Sequence, residues 1–163
     1  SIASAMGFGK IIGIDIDNSK LDAARQMGAS KTLNSKSANA VADLQKFVES
    51  RLMAVIDTFG GESTGQLAVR ALAKSGQYLL VGQAGGDFKM PQVWLPQKAM
   101  MVRGSHVGNS PQLRKLIDMV RAGKIKQMPI ERRQLSEINQ AVEDLEQGRV
   151  TGRIVFQPDQ GKL

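Results

Sequence analysis

Short apolar runs recur along the chain, separated by stretches in which apolar residues return every three or four positions. The runs are Ile11-Ile12-Gly13-Ile14, Met53-Ala54-Val55-Ile56, Tyr78-Leu79-Leu80-Val81, Met100-Met101-Val102 and Ile154-Val155-Phe156. Their apolarity is continuous rather than alternating, which predicts strands covered on both faces, as in a parallel sheet. Between them, Val41, Leu44, Val48 and Leu52 follow one helical face, with Phe47 beside it. Leu67, Ala68, Ala71 and Leu72 follow another, as do Leu113, Leu116, Ile117 and Val120, and Ile138, Ala141, Val142 and Leu145. The punctuation agrees. Ser110-Pro111 reads as an N-cap followed by proline at the first helical position. Gly28, Gly76, Gly123 and Gly148 each follow a helical segment, where a helix stop is expected. Gly85-Gly86-Asp87 reads as a turn, and Phe88-Lys89-Met90 after it either as a short edge strand or as a loop covered by the Trp94 segment. Strand alternating with helix predicts βαβ units and a doubly wound α/β sheet.

Composition narrows the chemistry. The 163 residues make one domain, or most of one. With 42% hydrophobic and 23% charged residues, the chain has the make-up of a folded protein rather than a disordered one. No apolar run approaches about 18 residues, so no membrane span is expected. No signal peptide is visible. The chain has no Cys and one His, which excludes disulfides, a Cys nucleophile and a zinc site built from these residues. A Ser-His-Asp triad would have to use His106. The absence of Cys fits a reducing, cytoplasmic compartment. The net charge is +7, and from Arg103 to Arg133 there are eight Lys/Arg against two Asp/Glu. Such a stretch attracts polyanions. Nucleic-acid readers interleave aromatics for stacking, however, and aromatics are 4% here. The stretch therefore reads as a solvated helix face, with neither nucleic acid nor membrane as partner. Trp94 and the eight Met read as core and interface filler.

Doubly wound sheets bind ligands beyond the carboxyl ends of their strands. The residues there are Asp15, Asp57-Thr58, Gly82 and Gly104-Ser105. Asp15 ends an apolar run, and Asn18-Ser19-Lys20 open a helix just after it. A carboxylate in that place accepts both hydroxyls of an adenosine ribose and repels a 2′-phosphate, which favours NAD over NADP. A loop aspartate that merely caps the next helix is the alternative. The glycine fingerprint expected before such an Asp is missing. The chain opens instead at Ser1-Ile2-Ala3-Ser4-Ala5-Met6-Gly7, the end of a helix, and Gly7-Phe8-Gly9 is a helix-to-strand turn. With no initiator Met, the first strand and its pyrophosphate turn are expected upstream of residue 1, and the chain is expected to be a fragment. That strand is central in the 3-2-1-4-5-6 order, so without it the isolated chain is not expected to form a stable closed monomer.

Several motifs resemble, in order and spacing, the C-terminal, NAD-binding part of zinc-type medium-chain alcohol dehydrogenases. Ile11–Asp17 resembles that family's second strand with its ribose-binding Asp, here Asp15, and Lys20 falls where a Lys often meets the same ribose. Gly28-Ala29-Ser30 resembles its "lGA" turn, Val55–Gly60 its "vid..G" strand, and Gly76–Gly82 its "G.yv.vG" strand. Gly104–Asn109 resembles "GS.vG", and Gly148–Val155 the closing "G...GR.v". The resemblance covers essentially the whole chain and implies a Rossmann-like fold lacking its first strand and glycine-rich turn. It also implies a cofactor set of Asp15, Lys20, Thr58, Val81, Gly82, Ser105, His106, Val107 and Arg153. In that set the Ser105–Val107 backbone faces the nicotinamide amide, with the His106 side chain incidental, and Arg153 reaches the diphosphate. Asp57 reads as a strand-end residue beside the cleft rather than a catalytic carboxylate.

The resemblance further implies hydride transfer between an alcohol or carbonyl substrate and NAD. The family's zinc-bearing catalytic domain is not in these residues, so zinc is expected only in that domain. No catalytic residue is expected in this chain, which would be inactive alone. Self-association is expected through residues 87–104, where an exposed edge is a template for pairing. Two other readings compete. One is a non-catalytic nucleotide-binding or interaction module. The other is an S-adenosylmethionine-dependent methyltransferase, which also binds ribose through an acid at the second strand; the Gly104–Asn109 and Arg153 segments argue against it.

Overall fold

The computed structural model describes residues 1–49 and 51–158. In chain order the elements are α1 (Ile2–Ala5), β1 (Ile12–Asp15), α2 (Asn18–Gln26), β2 (Lys31–Asn34), α3 (Ala40–Phe47), β3 (Ala54–Asp57) and α4 (Glu62–Ala71). Then follow β4 (Gln77–Leu80), α5 (Trp94–Lys98), β5 (Met101–Gly104), α6 (Ser110–Arg121) and β6 (Ile130–Gln134). A 3-10 turn (Leu135–Glu137), α7 (Ile138–Glu146) and β7 (Arg153–Gln157) close the chain. The alternation is the α/β pattern that the apolar runs predict.

The strands form three sheets, ordered β1-β2, β3-β4-β5 and β6-β7. In the doubly wound order 3-2-1-4-5-6, β1-β2 corresponds to 2 and 3, and β3-β4-β5 to 4, 5 and 6. The expected sheet is therefore present in its two flanking pieces. β3, β4 and β5 run parallel, with Asp57 opposite Leu80 and Leu80 opposite Gly104.

The residues fall into two compact units. Among the described residues, one holds 14–16 and 33–113; the other holds 1–13, 17–32 and 114–158. The first has its core between the β3-β4-β5 sheet and α4, where Ala68, Val69, Leu72, Tyr78 and Met100 are buried. Phe88, Met90 and Trp94 pack against them, so Trp94, Met90 and Met100 fill the core, whereas Met6, Met53, Met101 and Met128 are exposed. Leu44 and Val48 are buried too, on α3 and at its end.

In the second unit, β6 and β7 pair in parallel and α7 is tied to them by ions. Asp144 accepts from Arg133 and from Arg149, each at 2.6 Å, and Arg133 also reaches Glu131 at 2.7 Å. Hydrogen bonds from Arg149 and then Arg133 hold the Asp144 carboxyl down at about 2.

Several expectations are corrected. Leu52 lies beyond α3, which ends at Phe47 with Val48 as its cap, because Glu49 turns the backbone left-handed. Phe88-Lys89-Met90 is a loop rather than a strand; the Phe88 ring packs edge-on to Tyr78 and over Gly65, where a side chain would collide with it. Ser75, not Gly76, takes the left-handed turn after α4. The cap of α6 is Asn109, one residue before Ser110. Its Oδ1 accepts from the Gln112 amide at 3.0 Å, and Gln112 Oε1 accepts from the Asn109 amide at 2.9 Å. The continuous apolar runs are covered on one face only in β3-β4-β5, where Ile56 and Met101 on the other face are exposed.

Two outcomes follow. Leu44→Ala removes a fully buried side chain and destabilises the fold by about 2–5 kcal/mol in urea unfolding, whereas Leu113→Ala, on an exposed face of α6, changes it little. Asp144 is held below its unfolded value, so its stabilising contribution is complete above about pH 4 and lost as pH falls toward about 2. Acid unfolding of Asp144→Asn lacks that step.

Candidate functional site

Parallel register puts three strand ends in one layer. Asp57, Leu80 and Gly104 stand side by side, so the next residues, Thr58, Val81 and Ser105, leave the sheet together. Backbone bonds continue past the strands. Val81 N–H donates to the Asp57 carbonyl at 2.9 Å, and Ser105 N–H to the Leu80 carbonyl at 2.9 Å. This is the carboxyl edge at which α/β sheets bind ligands.

Two glycines let the neighbouring turns interlock. A Cβ on Gly82 would fall 2.2 Å from the Phe59 carbonyl carbon, and one on Gly60 would fall 2.1 Å from the Gly82 oxygen. Ala84 N–H donates to the Phe59 carbonyl at 3.0 Å, and Gly85 N–H to the Gly60 carbonyl at 3.2 Å. The turns after β3 and β4 are thus packed backbone against backbone.

Beneath them sits Asp57, 6% exposed. Its Oδ1 accepts from the Phe59 and Gly60 amides at 2.9 and 2.8 Å, and its Oδ2 from the Tyr78 hydroxyl at 2.9 Å. Burial pushes its carboxyl up, but the bonds from Gly60, Thr64, Tyr78 and Phe59 outweigh this and hold it below the ordinary value. The same burial and the same carboxylate push the Tyr78 phenol well above its ordinary value. Asp57 is therefore held as a carboxylate, with both oxygens engaged by these donors. Sequence reasoning placed Asp57 at the cleft but did not single out Tyr78. The available signal was one tyrosine inside an apolar strand, whose hydroxyl needs a partner once buried.

The chain after β5 is exposed from Ser105 to Ser110. Val107 is left-handed, with φ of 44° and a side chain 82% exposed, a costly conformation for a β-branched residue. His106 borders an open cleft of about 630 Å³ on the uncovered face of β3-β4-β5, together with Ile56, Leu79, Arg103 and Gln112.

Asp15, half-buried, ends β1, and its Oδ1 accepts from the Ile16 amide at 2.7 Å. It belongs to the same unit as Thr58, Val81, Gly82 and Ser105–Val107. Lys20 and Arg153 belong to the other unit. There Lys20 Nζ lies beside the Gly148 turn that follows α7. Arg153 is exposed at the start of β7, and its amide donates to the Pro129 carbonyl at 3.0 Å.

Among the described residues, no group of three His, Cys, Asp or Glu could hold a metal ion. None of the described helices is long and apolar enough to cross a membrane.

The family model described as zinc-binding dehydrogenase matches residues 1–122. The chain belongs to that family. The matched model is the C-terminal, NAD-binding part of zinc-type alcohol dehydrogenases, as the motifs imply. An NAD-dependent alcohol dehydrogenase of Sulfurisphaera tokodaii is 32% identical over 158 residues, which are 96% of this chain and 46% of that one. An alcohol dehydrogenase of a Moraxella species is 32% identical over 94% of this chain and 45% of its own length. Among solved structures, the alcohol dehydrogenase of Aeropyrum pernix superposes with a TM-score of 0.89 at 26% identity, over 96% of this chain and 45% of that one. Benzyl alcohol dehydrogenase of Acinetobacter calcoaceticus gives 0.83 at 26% identity, over 95% and 45%. This zinc-binding dehydrogenase chain thus spans about half the length of the relatives it matches. The family's name implies zinc, and the residues of this chain do not fit a zinc site.

Gly82→Ala separates the two interlocked turns and lowers the melting temperature by several degrees. Gly104→Ala, with no atom within 4 Å of its Cβ, leaves melting nearly unchanged. Thermal unfolding followed by circular dichroism checks the pair.

Proposed function

We propose that this chain is the NAD-binding part of an alcohol dehydrogenase-like oxidoreductase that moves hydride between an alcohol or carbonyl substrate and a nicotinamide cofactor. The observation that carries the reading is the family match over residues 1–122, which spans the aligned strand ends of β3, β4 and β5. The bound dinucleotide supplies the hydride chemistry. What the chain's own residues contribute is binding and orientation. Asp15 accepts from the ribose hydroxyls and repels a 2′-phosphate, which favours NAD over NADP. Thr58, Val81 and Gly82 form the floor under the nicotinamide half. The backbone at Ser105, His106 and Val107 meets the carboxamide; the exposed, left-handed conformation of Val107 supports this reading.

Activation of the substrate is assigned, by the resemblance, to the family's zinc-bearing catalytic domain. The outer edge of β5, unpaired among the described residues, supports self-association through residues 87–104.

Calorimetric titration of the complete protein with NAD and NADP tests the cofactor reading. Wild type prefers NAD. Asp15→Ser weakens NAD about 10- to 100-fold, the worth of hydrogen bonds to a charged group, and narrows the gap to NADP. Unchanged NAD affinity in Asp15→Ser would remove Asp15 as the ribose ligand.

A further inference from the structure

Asp57 is the one charged side chain among the described residues that the core encloses. Burying a carboxylate is costly unless every lone pair is used, and an apolar residue would fill the same space without that cost. The use made of it here is specific. Its side chain gathers the turn after β3 by accepting from the Phe59 and Gly60 amides. Its main-chain carbonyl holds the turn after β4, accepting from Val81 at 2.9 Å and Gly82 at 3.0 Å. One residue thus fixes both halves of the backbone-on-backbone junction.

Tyr78 completes the arrangement. Val55 pairs with Tyr78 and Asp57 with Leu80, so Asp57 and Tyr78 share one face of the sheet, two residues out of step. That offset lets the tyrosine hydroxyl reach Oδ2. Its ring is set in turn by Phe88, centroid to centroid at 5.8 Å and nearly perpendicular.

We infer that Asp57, oriented by Tyr78, is a positioning residue for cofactor binding: it holds the turns bearing Thr58, Val81 and Gly82 in the one relation that fits the dinucleotide. The inference rests on the cofactor reading above. Neither side chain touches the cofactor; both act through the backbone they hold.

The test uses the complete protein with Tyr78→Phe, Asp57→Asn and Asp57→Ala. Tyr78→Phe keeps the ring against Phe88 and removes one hydroxyl. Asp57→Asn keeps an acceptor for the two amides and turns its NH2 toward the tyrosine oxygen. For Tyr78→Phe we expect the NAD dissociation constant to rise about 5- to 10-fold, with kcat at saturating NAD within about twofold of wild type. Asp57→Asn stays within about threefold of wild type, and Asp57→Ala, where it folds, is the weakest binder. Amide exchange at Val81, Gly82, Ala84 and Gly85 accelerates in Tyr78→Phe without any cofactor present. A merely structural role would lower melting and leave the NAD constant of the folded protein unchanged; that result overturns the assignment. Unaltered exchange at those four amides overturns it as well. Wild-type protein that binds no NAD overturns the cofactor reading and this inference together, an outcome distinct from wild-type binding that the variants leave intact.

Discussion

A buried carboxylate cannot stand alone in a protein core, and the way Asp57 is satisfied governs the shape of the sheet's carboxyl edge. Three donors meet its side chain: the Phe59 and Gly60 amides and the Tyr78 hydroxyl. None of these bonds is replaceable by water, because the residue is enclosed. The turn after β3 therefore has one arrangement, and the turn after β4 packs on it with no side chain between, since Gly60 and Gly82 leave no room for one. The apolar core of Ala68, Val69, Leu72 and Met100 holds Tyr78 from below, so the polar junction and the hydrophobic cluster support each other.

The parallel register carries that local order across the sheet. Because Asp57, Leu80 and Gly104 are aligned, fixing one strand end fixes the layer from which Thr58, Val81 and Ser105 emerge. Membership of the zinc-binding dehydrogenase family gives the layer its meaning, since an edge of main-chain groups and small residues suits a dinucleotide. The division of labour follows from composition. With no Cys and one His, the chain lacks the residue types from which Cys- and His-based zinc sites are built.

Much of this was legible in the residues. β1, β3, β4, β5 and β7 each overlap an apolar run to within two residues at either end, although in β3-β4-β5 only one face of the run is covered. β2 and β6 escaped that criterion. Lys31-Thr32-Leu33-Asn34 and Ile130-Glu131-Arg132-Arg133-Gln134 each carry a single large apolar residue. β6 is a strand through its pairing with β7 and its ion pairs to α7, which no local pattern encodes. Phe88 and Met90 flank Lys89 with strand-like alternation, yet the ring is spent on Tyr78 and Gly65, a tertiary contact. The strand-end residues were legible from topology. The Asp57–Tyr78 bond was not, since it depends on which residues of two strands stand opposite each other.

The central claim is that the carboxyl edge of β3-β4-β5 receives the dinucleotide. Amide chemical-shift mapping of the complete protein during titration with NAD addresses it directly. The account predicts the largest shifts at Thr58, Gly82, Ser105 and Val107, at the carboxyl ends of the strands. Shifts centred instead on Ala54, Gln77 and Met101, at the amino ends, would contradict it.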